Sequence, residues 1–400
     1  MRKRILPALG VVLIAALACG APEENAPAAN APSSVPEKPS APVELNVLDV
    51  AGNLQLTQGM IDEFVQKNPD IVSAVNYTKA TAPEMPGKLL AEQRGGESQT
   101  HLVLTGTDGL ASVIEQELVL ELLPDFESRF PKLEENYLPA AADMQELAQG
   151  QGITVTFYPS GPLLEYDPNL VADPPTSPEE LLEWAKANPG KFQYAQPANS
   201  GPGRTFLMGL PYLLGDSDPK DPENGWDKTW EFLAELGQYV DYYPKGTTDT
   251  MKNLANGTVN MVATTTGWDI NPRVLGTVPA HMETTTLEGF HWVTDAHYAV
   301  VPRGVSEDVL SANLALVEWM LQPDQQAKAY DKGYFYPGPA VKDVTIDMAP
   351  QESQDAIEQF GRDEYESLIA DNPQETSLPA EAQVAAFQRW DREIGSGKTR

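Results

Sequence analysis

"VELNVLDVAGNLQLTQGMIDEFVQKNPDIVSAVNYT", residues 43–78, passes from strand to helix and back to strand. Up to Gly52, β-branched and polar residues alternate as in a buried strand. Leu54, Met60, Ile61, Phe64 and Val65 then share one stripe at helical spacing, and Asn68-Pro69 closes the run. The alternation continues with a helix around Lys88 to Arg94, a strand in "THLVLTG" (100–106), and a helix with a short extension in "GLASVIEQELVLELLP" (109–124). Such a succession predicts an α/β fold with a mostly parallel sheet flanked by helices. In sheets of this kind ligands sit at the carboxyl ends of the strands. Those ends are Ala51 to Leu54, Thr78 to Thr81 and Thr105 to Asp108, rich in small and polar residues.

A second unit follows. "GITVTFYPSGPLLEYD" (152–167) is extended and crosses towards it. In "SPEELLEWAKANPG" (177–190), Ser177 is suited to cap a helix, Pro178 to its first position, and Glu179 and Glu180 to its dipole. A strand in "KFQYAQP", a loop running into a helix in "ANSGPGRTFLMGLPYLL", and a helix in "GWDKTWEFLAELGQYV" come next. "DTMKNLANGTVNMVATTTGWD" (249–269) gives a helix, an Asn256-Gly257 turn and a strand. "HYAVVPRG" (297–304) is an apolar strand able to return the chain to the first unit, before the helix in "NLALVEWMLQPDQQAKAY".

The N-terminus has a different character. Arg2, Lys3 and Arg4 precede an apolar run from Leu6 to Leu17, and small residues lead to Cys19, the only cysteine in 400 residues. This is the layout of a secretory signal peptide; a spanning helix needs roughly 20 apolar residues. One thiol makes no disulfide and no cysteine metal cluster. Ala16-Leu17-Ala18-Cys19 resembles a bacterial lipobox, with alanine where leucine is commoner, and that resemblance makes Cys19 the lipid-bearing residue after cleavage; an ordinary cleavable signal is the alternative. Residues 20–42 are mostly Ala, Pro, Glu, Ser and Asn, a composition too poor in bulky residues to fold. As an extended tether they reach on the order of 70 Å at about 3.1 Å per residue. The organisation expected is a signal peptide at 1–18, a lipidated cysteine and tether at 19–42, a first lobe from 43–165 and 297–400 with the C-terminal helices, and a second lobe from 166–296.

Formal charge is −31, and loss of the three signal-peptide cations with no acid takes it to −34. That excludes nucleic acid as a natural partner, because phosphate binding needs a basic surface. It favours a cationic solute, or else reflects solubility or a salty environment.

The order of these elements, with "LALVEWMLQPDQQAKAYDKGYFYPGPAV" (314–341), "NPGKFQY", "HYAVVP" and the closing "LPAEAQVAAFQRWDREIG" (378–395), resembles the bacterial extracellular solute-binding proteins of ABC importers. The likeness is to the two-lobed type II group related to polyamine, thiamine and ferric-ion binders. It implies two lobes hinged by crossing strands that close on a small solute and deliver it to a permease in the cytoplasmic membrane. It also implies a monomer tied to the membrane outside the cytoplasm, with no cofactor, no resident metal and no bond made or broken. A polyamine or a thiamine-like cation is the cargo expected.

The candidate ligand residues lie at strand ends. Asn53 is either a ligand contact or a helix cap, and Thr81, Thr105 and Thr107 sit in the same plane. In "NSGPGRTF", Ser200 can cap a helix, the glycines allow close backbone approach, and Arg204 adds charge, although a structural turn serves as well. Thr266, Trp268 and Asp269 place an aromatic face beside a carboxylate, which suits a cation. His297 and Tyr298 lie near the hinge, and Tyr158 and Tyr336 are weaker candidates. Tandem tyrosines such as Tyr242-Tyr243 mark the ferric-ion binders of the group, but here they open "YYPKGTT". The acidic loop "DSDPKDPENGWD" departs from the EF-hand order through Lys220 and two prolines. A secreted hydrolase and a surface adhesin are the competing readings. Against an enzyme, the chain has no GxSxG or HExxH, and His101, His281, His291 and His297 lack tight metal spacing.

Overall fold

The computed structural model describes residues 35–50, 52–96 and 98–400. The signal peptide, Cys19 and most of the tether lie outside the described residues.

The chain opens with strand β1 (Val43–Val50), helix α1 (Leu54–Lys67), β2 (Val72–Ala80), α2 (Met85–Arg94), β3 (Leu102–Gly106) and α3 (Thr107–Glu115). Short α4 (Leu133–Asn136) and α5 (Pro139–Leu147) lead to β4 (Ile153–Gly161), which continues into β5 (Leu163–Tyr166). The second unit adds α6 (Pro178–Ala187), β6 (Phe192–Gln193), α7 (Gly201–Leu214), α8 (Asp227–Leu236), α9 (Thr247–Ala255), β7 (Met261–Thr264), α10 (Thr266–Val274) and β8 (Glu283–Thr285). Strand β9 (Trp292–Val300) returns, followed by α11 (Glu307–Met320), α12 (Pro323–Gln326), α13 (Gln351–Phe360), α14 (Glu364–Asp371), β10 (Gln374–Glu375) and α15 (Ala380–Trp390).

Two sheets result, one in each lobe. The first has the order β10-β9-β3-β1-β2, with β4 also on β9, and the second the order β6-β7-β5-β8. The α/β class and the two-lobed plan agree with the sequence; among the described residues three of five strand pairings are parallel in the first sheet, but only one of three in the second. β1 pairs in parallel with β2 and β3, whereas β9 runs antiparallel to both β3 and β4. In the second sheet only β6–β7 is parallel; β5 runs antiparallel to β7 and β8. The cause is the crossing. β4 and β9 carry the chain in opposite directions between the lobes, and as partners they must be antiparallel. Both are buried along all nine residues, so they form a continuous spine.

Capping follows the local chemistry read from the sequence. Ser177 Oγ accepts from Glu180 N at 3.1 Å and Ser200 Oγ from Gly203 N at 3.1 Å. Helix α11 lies on α1, where Trp319 Nε1 donates to Met60 O at 3.0 Å and its ring packs on Phe64.

Two boundaries need correction. Residues 35–42, assigned to the tether by composition, are held against the first lobe: Ser40 N and Oγ donate to the Asp308 carboxylate, Ser311 Oγ donates to Pro36 O, and Lys38 pairs with Asp70. Val35 also packs on the first core and Pro39 is buried, but polar bonds hold most of the segment, and its composition gave no sign of them. The C-terminal segment does not all belong to the first lobe either. Phe387, Trp390 and Ile394 enter the core of the second, where Trp390 Nε1 donates to Tyr194 OH at 3.0 Å and its ring meets Tyr243 edge-on at 5.0 Å. The start of α15 stays on the first lobe, with Gln383 Nε2 donating to Thr107 O. Helix α15 therefore touches both lobes.

Truncating a buried tryptophan costs about 3–5 kcal/mol. Trp390→Ala should lose that much in urea denaturation of the whole chain; a loss below about 1 kcal/mol would mean that α15 is not seated in the second core.

Candidate functional site

The carboxyl ends of β1, β3, β6 and β7 open onto a cleft of about 280 Å³ between the lobes. Gly52, Gly106 and Asp108 line it from the first lobe, and Ser200, Arg204, Thr247 and Trp268 from the second. Tyr158, Asp295 and His297 reach it from the crossing strands, and Tyr334 and Phe335 from the loop that follows α12.

At its centre is a buried ionic triad. Arg204, 1 % exposed, extends from α7 to the Asp295 carboxylate on β9 and lies 3.7 Å from Asp108 on α3. Asp295 also accepts from Thr107 Oγ1 at 2.8 Å, from Tyr158 OH at 3.3 Å and from Ala296 N at 2.8 Å. Burial pushes the Asp108 carboxyl up, against the pull of Arg204. Burial alone would lower the Arg204 guanidinium, but Asp295 and Asp108 reverse this and raise it. The triad is one charge short of neutral.

Around it stand aromatic rings. Phe335 lies between Tyr158, with centroids 3.5 Å apart, and His297, at 4.2 Å. Burial lowers the His297 imidazole to about 4, against the nearby Asp295 charge, so at neutral pH it is uncharged. The Tyr334 hydroxyl sits over Gly52, whose φ of +74° and lack of a side chain permit the approach; a Cβ there would come within 2.7 Å of that oxygen.

The cleft is also where helices begin. The first turns of α3, α7, α9 and α10 all contribute to its lining. Ser200 Oγ and Thr247 Oγ1, 2.7 Å apart, join the starts of α7 and α9, and Asn199 Nδ2 ties the same corner to Lys245 O. Neither Gly106 at the start of α3 nor Gly246 at the start of α9 supplies a side-chain cap.

Of the residues singled out in the sequence, Tyr158, Ser200, Arg204, Trp268 and His297 line the cleft. Thr107 stands behind it on Asp295, and Asn53 is buried at the start of α1, its Oδ1 accepting from Thr57 Oγ1. The rest require correction. Asp269 faces away from the cleft on α10 and accepts from Arg273, Arg362 and Tyr365, three donors that consume its charge. Thr266 Oγ1 donates to Tyr336 O and pins the loop carrying Phe335. Tyr298 alternates to the opposite face of β9, into the first core, where its hydroxyl donates to Met144 O. Thr81 N and Oγ1 donate to Glu84 at the exposed start of α2. Thr105 is fully buried beneath Gly109, its hydroxyl turned to Gly106 O. Tyr243 belongs to the second core, and Tyr242 OH accepts from Asn253 Nδ2. Among the described residues no group of three or more His, Cys, Asp or Glu is placed to hold a metal.

The residues missed are Asp295, Tyr334, Phe335 and the start of α9. A carboxylate inside the nine-residue strand "WVTDAHYAV" was the available signal, because a buried acid requires a partner.

A family model described as bacterial extracellular solute-binding protein matches residues 59–358. A search of curated proteins finds no significant match. Solved structures with the same fold include the spermidine/putrescine ABC transporter substrate-binding protein PotD of Streptococcus pneumoniae (12% identity, TM-score 0.56, 87% of this chain and 99% of that one). Another is the periplasmic binding protein AfuA of Actinobacillus pleuropneumoniae, solved with fructose-6-phosphate (15%, 0.62, 88% and 99%). A third is a ferric binding protein of Campylobacter jejuni (15%, 0.61, 88% and 98%).

Two substitutions separate structure from site. Asp269→Asn removes the carboxylate that Arg273 and Arg362 share, leaving only the buried Glu165 carboxyl near them, and should cost about 3–5 kcal/mol in urea denaturation, with no change in the cleft. His297 gives a pH signature. Its folded-state pKa of about 4 lies below its ordinary 6.5. Between those values the unfolded chain binds the proton and the native one does not, so its contribution to stability is present above 6.5 and is lost as pH falls towards 4. His297→Gln should flatten the stability–pH curve in that window, and an unchanged curve would place the imidazole's titration elsewhere.

Proposed function

The chain belongs to the bacterial extracellular solute-binding protein family, and from that premise we propose that it captures a small solute between its lobes and hands it to an ABC permease in the cytoplasmic membrane. The observation that carries this reading is the cleft itself, whose walls come from both lobes and meet at Arg204. A ligand touching both walls favours the closed form, because only that form satisfies both sets of polar groups. A permease that recognises the closed shape then distinguishes loaded from empty protein.

No helix among the described residues is long and apolar enough to cross a membrane. We place the protein at the membrane surface through a lipid on Cys19, acting as a monomer. The family is one of binding proteins rather than enzymes, and the cleft holds no activated nucleophile: its imidazole is buried, uncharged and stacked on Phe335. A cationic cargo, such as a polyamine or a thiamine-like compound, is supported by the acid excess of the triad and by the surrounding rings.

A solute with a micromolar Kd, supplied at millimolar concentration, should stabilise the protein by about 4 kcal/mol in thermal denaturation and shrink its radius of gyration in solution scattering. Absence of both effects across amines, sugars, organic acids and metal ions would remove the proposal. Separately, Cys19→Ser should abolish labelling by radioactive fatty acid and move the protein from the membrane to the soluble fraction. Retention on the membrane would dismiss the lipid anchor.

A further inference from the structure

We propose that the cargo is a zwitterion, a small solute carrying both a cationic nitrogen and a carboxylate or phosphate group. This rests on the reading of the cleft as a solute site, keeps the cationic group proposed for the cargo, and replaces a purely cationic polyamine with a solute that also carries an anion. The two walls have opposite electrostatic character.

The first wall is acidic. Asp108 and Asp295 face the single guanidinium of Arg204, and no lysine lines the cleft. Asp295 is saturated by Arg204, Thr107, Tyr158 and the Ala296 amide. Asp108 is not: its Oδ1 takes the Gly109 amide at 2.9 Å and Arg204 stays 3.7 Å away. Tyr158 and Phe335, with Trp268 from the second lobe, place aromatic surface in the same cleft. An uncompensated carboxylate beside ring faces suits an organic cation.

The second wall is a donor surface. Helices α7 and α9, fourteen and nine residues long, begin side by side; Pro202 and the Ser200 cap on Gly203 N leave α7 only its Gly201 amide, whereas no side chain caps the first-turn amides of α9, which carry partial positive charge. Gly246 offers α9 no side-chain cap, and Asp249, the acid in its first turn, is exposed and paired with Lys252 instead of lining the cleft. A second observation points the same way. Arg204 Nε, on a residue 1 % exposed that lines this wall, has no acceptor among the described residues. Buried donors of this kind call for an oxygen acceptor.

A purely cationic solute would leave the donor wall unmatched, and an anion without a cationic group would face Asp108. A solute with both charges satisfies both walls, and it must bridge the lobes to do so, which couples its recognition to closure.

The test is calorimetry on the whole chain with matched compounds: the ω-amino acids of three to six carbons, common α-amino acids and aminoethyl phosphate, each against the amine and the acid of equal length. The expected result is that at least one zwitterion binds a hundredfold tighter than both partial analogues. Asp108→Asn should weaken it tenfold or more while sparing the acid. Thr247→Pro should weaken the zwitterion and spare the amine, because proline is accepted at the first position of a helix after an extended residue such as Gly246 but removes an amide donor. Unchanged melting temperatures would show that both variants fold. An amine or an acid binding as tightly as its zwitterion would overturn the proposal and leave the solute site standing. No binding by any of the three classes would also overturn it; if scattering then showed no compaction with sugars or metal ions, the solute site would fall as well.

Discussion

A guanidinium buried between two carboxylates on different parts of the chain sets the arrangement of everything near the cleft. Arg204 belongs to α7 of the second lobe, and its partners belong to α3 and to the crossing strand β9. Removing a charge of this kind from water is costly unless its partners are well placed. The placement is enforced from behind: Thr107 and Tyr158 orient Asp295, and the all-buried pairing of β4 with β9 fixes Tyr158 opposite Asp295 in register. The lobes are thus apposed by an interaction that depends on the spine's exact hydrogen-bond register. A one-residue slip would turn Asp295 and His297 into the core and Tyr298 into the cleft.

The rest of the site follows from topology. Strands whose carboxyl ends face the cleft must be followed by loops and helix starts there, so the fold itself delivers backbone N–H groups to the cleft. Side chains then only need to add what the backbone cannot: aromatic faces from Tyr158, Phe335 and Trp268, and negative charge from Asp108. The relatives sharing this fold are described with spermidine and putrescine, with fructose-6-phosphate, and with ferric ion. A shared fold therefore does not name a ligand, whose chemistry is left to the residues of each site.

Much of this was legible in the sequence because it is local. Strand alternation, the apolar stripe of α1, and the Ser177 and Ser200 caps are all decided within a few residues. Carboxyl-end placement pointed to Ser200, Arg204 and Trp268, which line the cleft. What escaped is non-local. Asp269 sits five residues after the end of β7, in the first turn of the helix that follows, yet Arg362 and Tyr365, nearly a hundred positions later, consume its charge. Phe335 enters the cleft on a loop whose path is set by Thr266 and by Gly267, where any side chain would strike the Tyr334 carbonyl. Tyr298 and His297 are neighbours in the chain but point to opposite faces of β9, and only the register decides which one lines the cleft.

Helix α15 begins beneath α3 and ends with Trp390 wedged among Tyr194 and Tyr243. A rod fastened at both ends across a joint acts as a splint. Wide gaping would have to pull a tryptophan out of an aromatic socket, whereas a twist about the rod's own axis leaves both fastenings in place. The breathing motion this architecture permits is therefore torsional, like a lid turning on a jar, and the mouth through which a solute enters is set by how far that turn can go.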